Sequence, residues 1–287
     1  MIAEVEGMVR QVTIEIIEGF RSRGECEFVT EYSKVLPIVV FLTMMNLPLE
    51  DRHELLPHAD VIAQSPDPDA VHHARLALMA YVQRQMNHRK QHPQNDLLTM
   101  ILNAEINGVK IDERKAVGMA TLALSGGLDT VKNMLGFCAK FLALNPAHVK
   151  QLVDNPDLIP HATDELFRRH GVSNTARILR KDREFCGVTL KAGDQIQGVS
   201  ALVGLDDETV ENPMVVDFCR PAPIPHATFG NGPHRCPGSN LAKREVMVWL
   251  QEWLPRIPKF RIKEGTVPQQ QSAMVNTVSE LWLQWDI

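Results

Sequence analysis

The sequence has few cysteines, and they are not arranged as in disulfide frameworks or zinc ribbons. Its five cysteines are an odd number, and no two of them form a CxxC pair. Disulfide scaffolds and zinc ribbons depend on such pairing. A cysteine with a chemical function in this chain is therefore expected to act alone.

The sequence also lacks a basic excess and a hydrophobic run long enough to cross a membrane. The formal net charge is -5, so the average charge does not attract the phosphate backbone of a nucleic acid. The apolar run VLPIVVFLTMM contains Pro37 and is too short for a bilayer. The first residues carry acids where a secretory signal carries bases. We expect a cytoplasmic protein with no nucleic-acid partner and no membrane partner.

Helical periodicity dominates the first part of the chain. A long, apolar helix is predicted from the N-cap Asp112 to Leu144, and another helix follows Pro237. Beyond about residue 170, short β-like segments alternate with turns. The pattern predicts a mainly α (α+β) fold with small sheets. We expect a single domain over 1–287, with a helical part over about 1–170 and a β-containing part over about 171–287.

Cys236 stands after a glycine-rich turn and just before a predicted helix, in the segment FGNGPHRCPG. The positive end of a helix dipole favours the anionic thiolate, which is the form that binds metal or attacks carbon. Gly230, Gly232 and Gly238 would let the backbone approach a flat, bulky group, with Phe229 packed beside it. The segment is therefore a candidate cofactor loop.

The residues alone leave two other interpretations of Cys236 open. The first is a buried cysteine in a turn, which is the commoner fate of a single cysteine. The second is a cysteine nucleophile with His226 or His234 as its base. Spacing does not separate these three interpretations.

The same segment resembles the haem-binding signature of the cytochrome P450 superfamily, F-x-x-G-x-x-x-C-x-G. Phe229, Gly232, Cys236 and Gly238 match its fixed positions without exception. The resemblance implies haem b with the Cys236 thiolate as the axial ligand of the iron, an arrangement that favours O–O cleavage. Pro237 has no N–H to donate to the thiolate, so we expect a lower iron potential than with another residue there.

The predicted long helix contains Gly126-Gly127-Leu128-Asp129-Thr130. Two adjacent glycines inside a helix cost about 2 kcal/mol relative to alanines, and close helix packing is one explanation for them. The stretch also resembles the oxygen-binding kink of the family, G-G-x-D-T. That resemblance implies that Gly126 lies against the haem, that Thr130 hydrogen-bonds dioxygen, and that Asp129 relays protons from solvent.

Glu165 and Arg168 stand three residues apart on one predicted helix. Alone, this spacing is typical of a solvated ion pair that contributes a few tenths of a kcal/mol. It also resembles the E-x-x-R motif of the family, which implies a buried network with Arg220 that holds the cysteine loop. Buried charges need such partners to offset their desolvation.

Several basic residues near the cysteine loop and in the β-containing part are either ordinary surface residues or residues with a role that the family resemblance implies. His234 and Arg177 resemble the residues that bind haem propionates in camphor-hydroxylase-like members, although such residues are usually on the surface. Arg235, Lys243 and Arg244 form either a solvated face or a docking site for an acidic [2Fe–2S] ferredoxin.

The resemblance is strongest to the bacterial camphor 5-monooxygenase-like branch and runs to the final LWLQWDI. Family members carry a longer N-terminal segment with a W-x-x-x-R helix, whereas the first tryptophan here is Trp249. That segment is therefore expected to be missing. The positions implied to border the substrate are Leu122, Ser125, Ser173, Thr175, Met274 and Val275. Their hydroxyl groups are compatible with an oxygenated terpenoid.

The resemblance implies a monooxygenase that inserts one oxygen atom from O2 into a small hydrophobic, terpenoid-like substrate. Electrons would come from NAD(P)H through a ferredoxin reductase and a [2Fe–2S] ferredoxin. The alternative is a truncated, non-catalytic haem-binding or scaffold relative. A cysteine hydrolase explains neither the pair Asp129 and Thr130 nor the E-x-x-R motif, and a peroxide-driven oxygenase would not need that acid–alcohol pair.

Overall fold

The computed structural model describes the backbone of residues 2–287 and their side chains except those of residues 2–4, 63 and 64. Helices dominate the described chain up to about residue 170, as expected. The described helices are α1 (Ile2–Arg21), α2 (Val35–Met44), α3 (Arg52–Gln64), α4 (Pro68–Gln91), α5 (Leu97–Leu102), α6 (Glu113–Leu144), α7 (Pro146–Asp154), α8 (Ile159–Arg169), α9 (Ser200–Val203) and α10 (Ser239–Arg256).

Short strands form several small antiparallel sheets. The strands are β1 (Glu25–Glu27), β2 (Glu105–Ile106), β3 (Val109–Lys110), β4 (Asn174–Ile178), β5 (Arg183–Phe185), β6 (Val188–Leu190), β7 (Gln195–Val199), β8 (Arg261–Ile262), β9 (Gln269–Gln271), β10 (Thr277–Glu280) and β11 (Trp282–Gln284). In the described residues β11 lies between β1 and β8, and the pairs β2–β3, β4–β7, β5–β6 and β9–β10 form two-stranded sheets. Strands β1 to β3 lie in the part where sequence analysis found helices, because segments of two or three residues carry no usable periodicity.

The long helix α6 begins after Asp112 and ends at Leu144, as the sequence predicts. The Asp112 side chain caps its first turn by accepting a hydrogen bond from the Lys115 backbone N–H at 2.8 Å. Along its length α6 contributes to two hydrophobic clusters, with Leu124 in one and Leu135 in the other. The helix therefore connects the two clusters at the centre of the fold.

One face of α6 is not buried. Met119, Leu122 and Gly126 lie three or four residues apart and are exposed, and Leu122 is 71% exposed. An amphipathic helix presents such residues on a single side. An apolar stripe of α6 is therefore left open beside the Gly126-Gly127 step.

The apolar run with Pro37 is helix α2, which is almost wholly buried. The proline is tolerated because it occupies the first turn, where its missing N–H has no partner within the helix. No helix among residues 2–287 combines the length and the hydrophobicity needed to cross a bilayer.

Candidate haem-thiolate site

Cys236 lies on a loop that closes on itself just before α10. The backbone N–H of Cys236 donates to the Phe229 carbonyl oxygen at 2.8 Å. Gly230 and Gly232 have φ values of +67° and +64°, in the left-handed region where any other residue would be strained. These two glycines therefore allow the chain to turn around and present the cysteine at the start of the helix.

The sulfur of Cys236 differs from the structural thiols of the chain. Cys26 and Cys138 are 1% and 0% exposed inside the core, and burial raises the pKa of both thiols. Cys236 is only half-buried and lies outside the hydrophobic clusters that the described residues form. A Cβ atom at Gly238 would lie 3.8 Å from the sulfur. The interpretation as a buried cysteine in a turn gains no support.

The interpretation as a cysteine nucleophile has no geometric support either. In the described part of the chain, neither His226 nor His234 hydrogen-bonds the Cys236 sulfur. Burial and the nearby Lys243 ammonium lower the pKa of His226, whose Nδ1 accepts a weak bond from the Thr228 backbone N–H at 3.4 Å. A general base needs hydrogen-bond reach to its nucleophile.

The two glycines of α6 have different reasons to be glycine. A Cβ atom at Gly127 would come within 2.8 Å of the Phe41 ring, so helix packing accounts for it. A Cβ atom at Gly126 would meet nothing within 4 Å. The Thr130 hydroxyl donates to the Gly126 carbonyl oxygen at 2.9 Å, so the alcohol stands over this open step. Packing within the described chain therefore leaves Gly126 unexplained.

Asp129 is buried and belongs to a chain of charged groups. Its carboxylate accepts a hydrogen bond from Asn133 Nδ2 at 2.8 Å and forms an ion pair with the equally buried Lys132. Lys132 Nζ lies 3.4 Å from an oxygen of Asp60, and the other oxygen of Asp60 pairs with Lys34 at 2.6 Å. Asp60 and Lys34 are partly exposed, so the chain connects Asp129 with the surface.

Lys132, Asp60 and Lys34 are not among the site residues that the sequence predicts. Lys132 stands three residues after Asp129 on the same helix, and that spacing could have indicated the pair. Asp60 belongs to α3 and Lys34 precedes α2, so no local spacing reveals their proximity. Only the packing of these segments against α6 brings them together.

Glu165, Arg168 and Arg220 form one buried network. Glu165 and Arg168 are both 0% exposed, and their side chains form two hydrogen bonds of 2.7 and 2.8 Å. Arg220 Nε reaches the Glu165 carboxylate at 3.1 Å. The pair is therefore not the solvated surface pair that spacing alone would suggest, and all three residues meet as the family resemblance implies.

This network also holds the irregular segment before the cysteine loop. Arg168 donates to the carbonyl oxygens of Gly204, Pro213 and Val215 at 2.5, 2.7 and 2.9 Å. The Thr228 hydroxyl donates to the Phe167 carbonyl oxygen at 2.6 Å, which ties the start of the cysteine loop to α8. Helix α8 is thus the support on which the loop rests.

The other predicted cations are on the surface. His234 and Arg177 are exposed, and within residues 2–287 neither has a carboxylate partner among the described side chains. Lys243 pairs with Asp164 at 2.5 Å and Arg244 with Glu6 at 3.0 Å, whereas Arg235 has no ion pair in the described part. The predicted ferredoxin face is therefore partly neutralised.

The predicted substrate positions fall into two groups. Leu122 and Ser125 lie on the open side of α6, where the Ser125 hydroxyl donates to the Leu122 carbonyl oxygen at 3.3 Å. Ser173 and Val275 pair as an isolated bridge. The remaining positions are beside that bridge: Thr175 in β4 and Met274 before it in the β9–β10 turn.

Residues 65–278 match the family model described as Cytochrome P450. The chain belongs to the cytochrome P450 family. Among curated P450 proteins, the probable cytochrome P450 127A1 of Sinorhizobium fredii is 32% identical over 267 residues, which are 92% of this chain and 64% of the relative. The biotin biosynthesis cytochrome P450 of Bacillus subtilis is 29% identical over 260 residues, covering 87% of this chain and 65% of the relative. The chain thus spans about two thirds of these P450 relatives.

Solved P450 structures resemble this chain throughout. The structure of CYP101J2 matches with a TM-score of 0.90 and 35% identity, covering 99% of this chain and 71% of that one. That of CYP101C1 matches with a TM-score of 0.89 and 35% identity, covering 99% and 72%. The fold is therefore the P450 fold, and the similarity includes the camphor-like CYP101 branch.

Haem b is the cofactor of the P450 family, and the residues of this chain fit it. The open step at Gly126 offers room for a flat group without a side chain in the way. The half-buried Cys236 thiol offers a soft ligand for iron at the start of α10. Exposed Arg177 and His234 carry the chemistry that an anionic propionate requires.

Proposed function

We propose that this chain is the haem-binding part of a monooxygenase that inserts one atom of O2 into a C–H bond of a small hydrophobic molecule. The observation that best supports this proposal is the half-buried thiol of Cys236, which lies outside the core at the start of α10. When bound, haem supplies the iron that activates dioxygen. The remaining steps depend on the residues of the chain itself.

The cysteine loop and α6 would hold the cofactor from opposite sides. Cys236 would bind the iron through its thiolate, and Phe229, Gly230 and Gly238 would contact the cofactor from the same loop. Gly126 would provide the space on the other side, because a Cβ placed there has no described atom within 4 Å apart from its chain neighbours and the adjacent backbone of its own helix. Arg177 and His234 bind the two propionates.

The acid–alcohol pair would control the proton supply. The Asp129 carboxylate would take up a proton that arrives from solvent and pass it to the hydroxyl of Thr130, which would give up its bond to the Gly126 carbonyl oxygen to do so. The ion pairs from Asp129 through Lys132 to Asp60 support a connection with solvent, because Asp60 is partly exposed. Water is thereby kept from direct access, since both Asp129 and Lys132 are buried.

The buried network would have a positioning role. Glu165, Arg168 and Arg220 hold the segment that leads into the cysteine loop, and so fix where the thiol stands. This positioning role is supported by the short hydrogen bonds that Arg168 forms with Glu165 and with the backbone of residues 204–215.

The substrate is proposed to lie between the open stripe of α6 and the turn between β9 and β10. Leu122 and Ser125 form one wall, and the other wall consists of Ser173, Thr175, Met274 and Val275. The mixture of apolar and hydroxyl groups suits an oxygenated, terpenoid-like molecule.

The electron donor is proposed to be a [2Fe–2S] ferredoxin that is reduced by NAD(P)H through a ferredoxin reductase. Arg235 is the cation of the docking face that has no ion pair in the described chain, so Arg235→Gln should slow reduction more than Lys243→Gln. Stopped-flow reduction at low and high salt would measure the difference. The cytoplasmic location and the single-domain organisation stay predictions.

The deciding experiment is the spectrum of the reduced, carbon-monoxide-treated protein. We expect the red-shifted Soret band of thiolate-ligated haem, its loss in Cys236→Ser, and its retention in Cys186→Ser, which changes an exposed cysteine. Absence of the band in the unaltered chain would instead favour the non-catalytic relative. Equal bands in both variants would remove Cys236 from the site.

A further inference from the structure

A second cleft, of about 400 Å³, lies beside the end of α8 and the strand β9. Its walls include the apolar side chains Phe137, Ala201 and Leu205 and the basic residues Arg169 and His170. None of its lining residues belongs to the proposed haem or substrate positions. The monooxygenase reaction gives this cleft no role.

Arg169 is a cation without a counter-ion. It is half-buried, and in the described part of the chain it forms no ion pair and no side-chain hydrogen bond. Burial and the neighbouring Arg168 guanidinium lower its pKa. Arg168 itself is fully paired with Glu165. Because Arg169 is half-buried and unpaired in the described chain, its guanidinium is available to bind an anion from outside the chain.

The residues around Arg169 do not supply that anion. The cleft lining contains no aspartate or glutamate within the described chain, and a further positive charge that acts on His170 is the Lys140 ammonium, which hydrogen-bonds Gln270 at 2.9 Å. Gln271, Ser272 and other amide or hydroxyl groups complete the polar side. The cleft is therefore electropositive, with neutral donors beside the guanidinium.

His170 gives an independent indication of a missing partner. Its Nε2 atom is buried and has no hydrogen-bond partner among the described residues. Its ring stacks on Phe137 with the centroids 6.0 Å apart and the planes at 15°, which fixes its orientation. Burial and the nearby Arg169, Arg168 and Lys140 lower the pKa of the imidazole to about 3, so it is neutral and can donate one N–H.

Ser200, which lies next to Gly171 of the cleft wall, has a second buried polar atom without a partner among the described residues. Its hydroxyl is buried without a partner in the described chain. The oxygen lies 2.9 Å from the position of a Cβ on Gly171, which lines the cleft. Buried polar groups are rarely left without partners, so the unpaired His170 in the cleft wall points to a ligand that supplies an acceptor.

We infer that this cleft binds a small organic carboxylate. The planar Arg169 guanidinium matches the two oxygens of a carboxylate, and the His170 imidazole in the cleft wall offers a further donor. Phe137, Ala201 and Leu205 contact the apolar body of the molecule. The cleft also borders the β9–β10 turn through Ser272, whose hydroxyl donates to Asn276 at 2.8 Å. A molecule bound in the cleft would therefore lie close to the turn that carries Met274 and Val275.

The test is calorimetric titration of the purified full chain with benzoate and with benzamide, its neutral counterpart of the same shape. We expect binding of benzoate, at least tenfold weaker binding of benzamide, and no change of the Soret band, which would move if benzoate reached the iron. Arg169→Gln should weaken benzoate about 10- to 100-fold, because hydrogen bonds to a charged group are lost. Lys150→Gln, which alters an exposed cation on α7, should not weaken it.

A second variant guards against a misfolded Arg169→Gln protein. Ala201→Phe fills the cleft without changing any charge, and it should also abolish benzoate binding while the thermal midpoint stays near that of the unaltered chain. Equal affinity for benzoate and benzamide, undiminished binding in either variant, or no heat at millimolar benzoate would each overturn the inference.

Discussion

Glu245 gives the fold a pH dependence of unusual sign. It lies within α10, is 2% exposed, and burial raises the pKa of its carboxyl group to about 8 from a usual value of 4.5. Between these values the folded chain holds a proton that the unfolded chain has released. The contribution of Glu245 to stability is therefore complete below about pH 4.5 and is lost as the pH rises through 8.

The magnitude follows from the size of the pKa difference. Each pH unit inside the window lowers the free energy of unfolding by about 1.4 kcal/mol. Glu245→Gln keeps the shape and removes the proton equilibrium, so its stability relative to the unaltered chain should rise by about 3 kcal/mol from pH 5 to pH 8. Comparing the two proteins at each pH cancels the contributions of other titrating groups to stability. One of them is His170, whose lowered pKa makes the free energy of unfolding rise with pH below about pH 6.5.

Urea unfolding at four pH values between 5 and 8 would measure this difference. Tryptophan fluorescence is a suitable signal, because Trp249 and Trp253 lie on the same helix and are buried. Glu264→Gln, which changes an exposed carboxyl group, is the control and should keep a constant offset from the unaltered chain. A difference between Glu245→Gln and the unaltered chain that stayed the same across the range would refute the reasoning.

Four further predictions concern helix α6 and the haem site. Lys132→Met leaves the Asp129 charge buried without its cation and should lower the free energy of unfolding by about 3–5 kcal/mol in urea melts. Adding Asp129→Asn to the same chain should restore part of the lost stability. If the effects of the two substitutions were strictly additive, the pairing of Lys132 with Asp129 would be contradicted. Gly127→Ala should destabilise by about 1–3 kcal/mol because the new Cβ meets Phe41. Gly126→Ala should instead raise the thermal midpoint of the haem-free chain. It should also weaken haem retention, measured by the ratio of Soret to protein absorbance. Equal effects of Gly126→Ala and Gly127→Ala would argue against open space at Gly126. Pro237→Leu supplies an N–H near the thiolate and should raise the iron potential in a redox titration; an unchanged potential would contradict this.

Local patterns predicted the parts of the site that lie within one segment. The cysteine loop fits in ten residues, and Glu165 and Arg168 are one helical turn apart, so both can be read without knowing the fold. The N-cap Asp112 was equally local and correctly marks the start of α6. Burial of Glu165 was not readable from spacing, because a solvated pair and a buried pair have the same sequence, and only the family resemblance implied it.

Contacts between distant segments could not be predicted. Nothing near Lys132 in the sequence indicates that Asp60 of α3 lies against it, and Arg169 looks like an ordinary basic residue at a helix end. Strand β1 escaped notice for a similar reason, since its three residues are defined by a partner at the other end of the chain. Such features depend on packing and not on composition.

The pairing of β1 with β11 constrains how the molecule is made. Cys26 is opposite Leu283, and β11 also holds β8 in the same sheet. During translation this sheet cannot close until β11 has been synthesised, so β1 emerges from the ribosome long before the strand that pairs with it. Closing so large a loop is slow, and a nascent chain stalled shortly before Trp282 would present unpaired strand edges to chaperones and proteases.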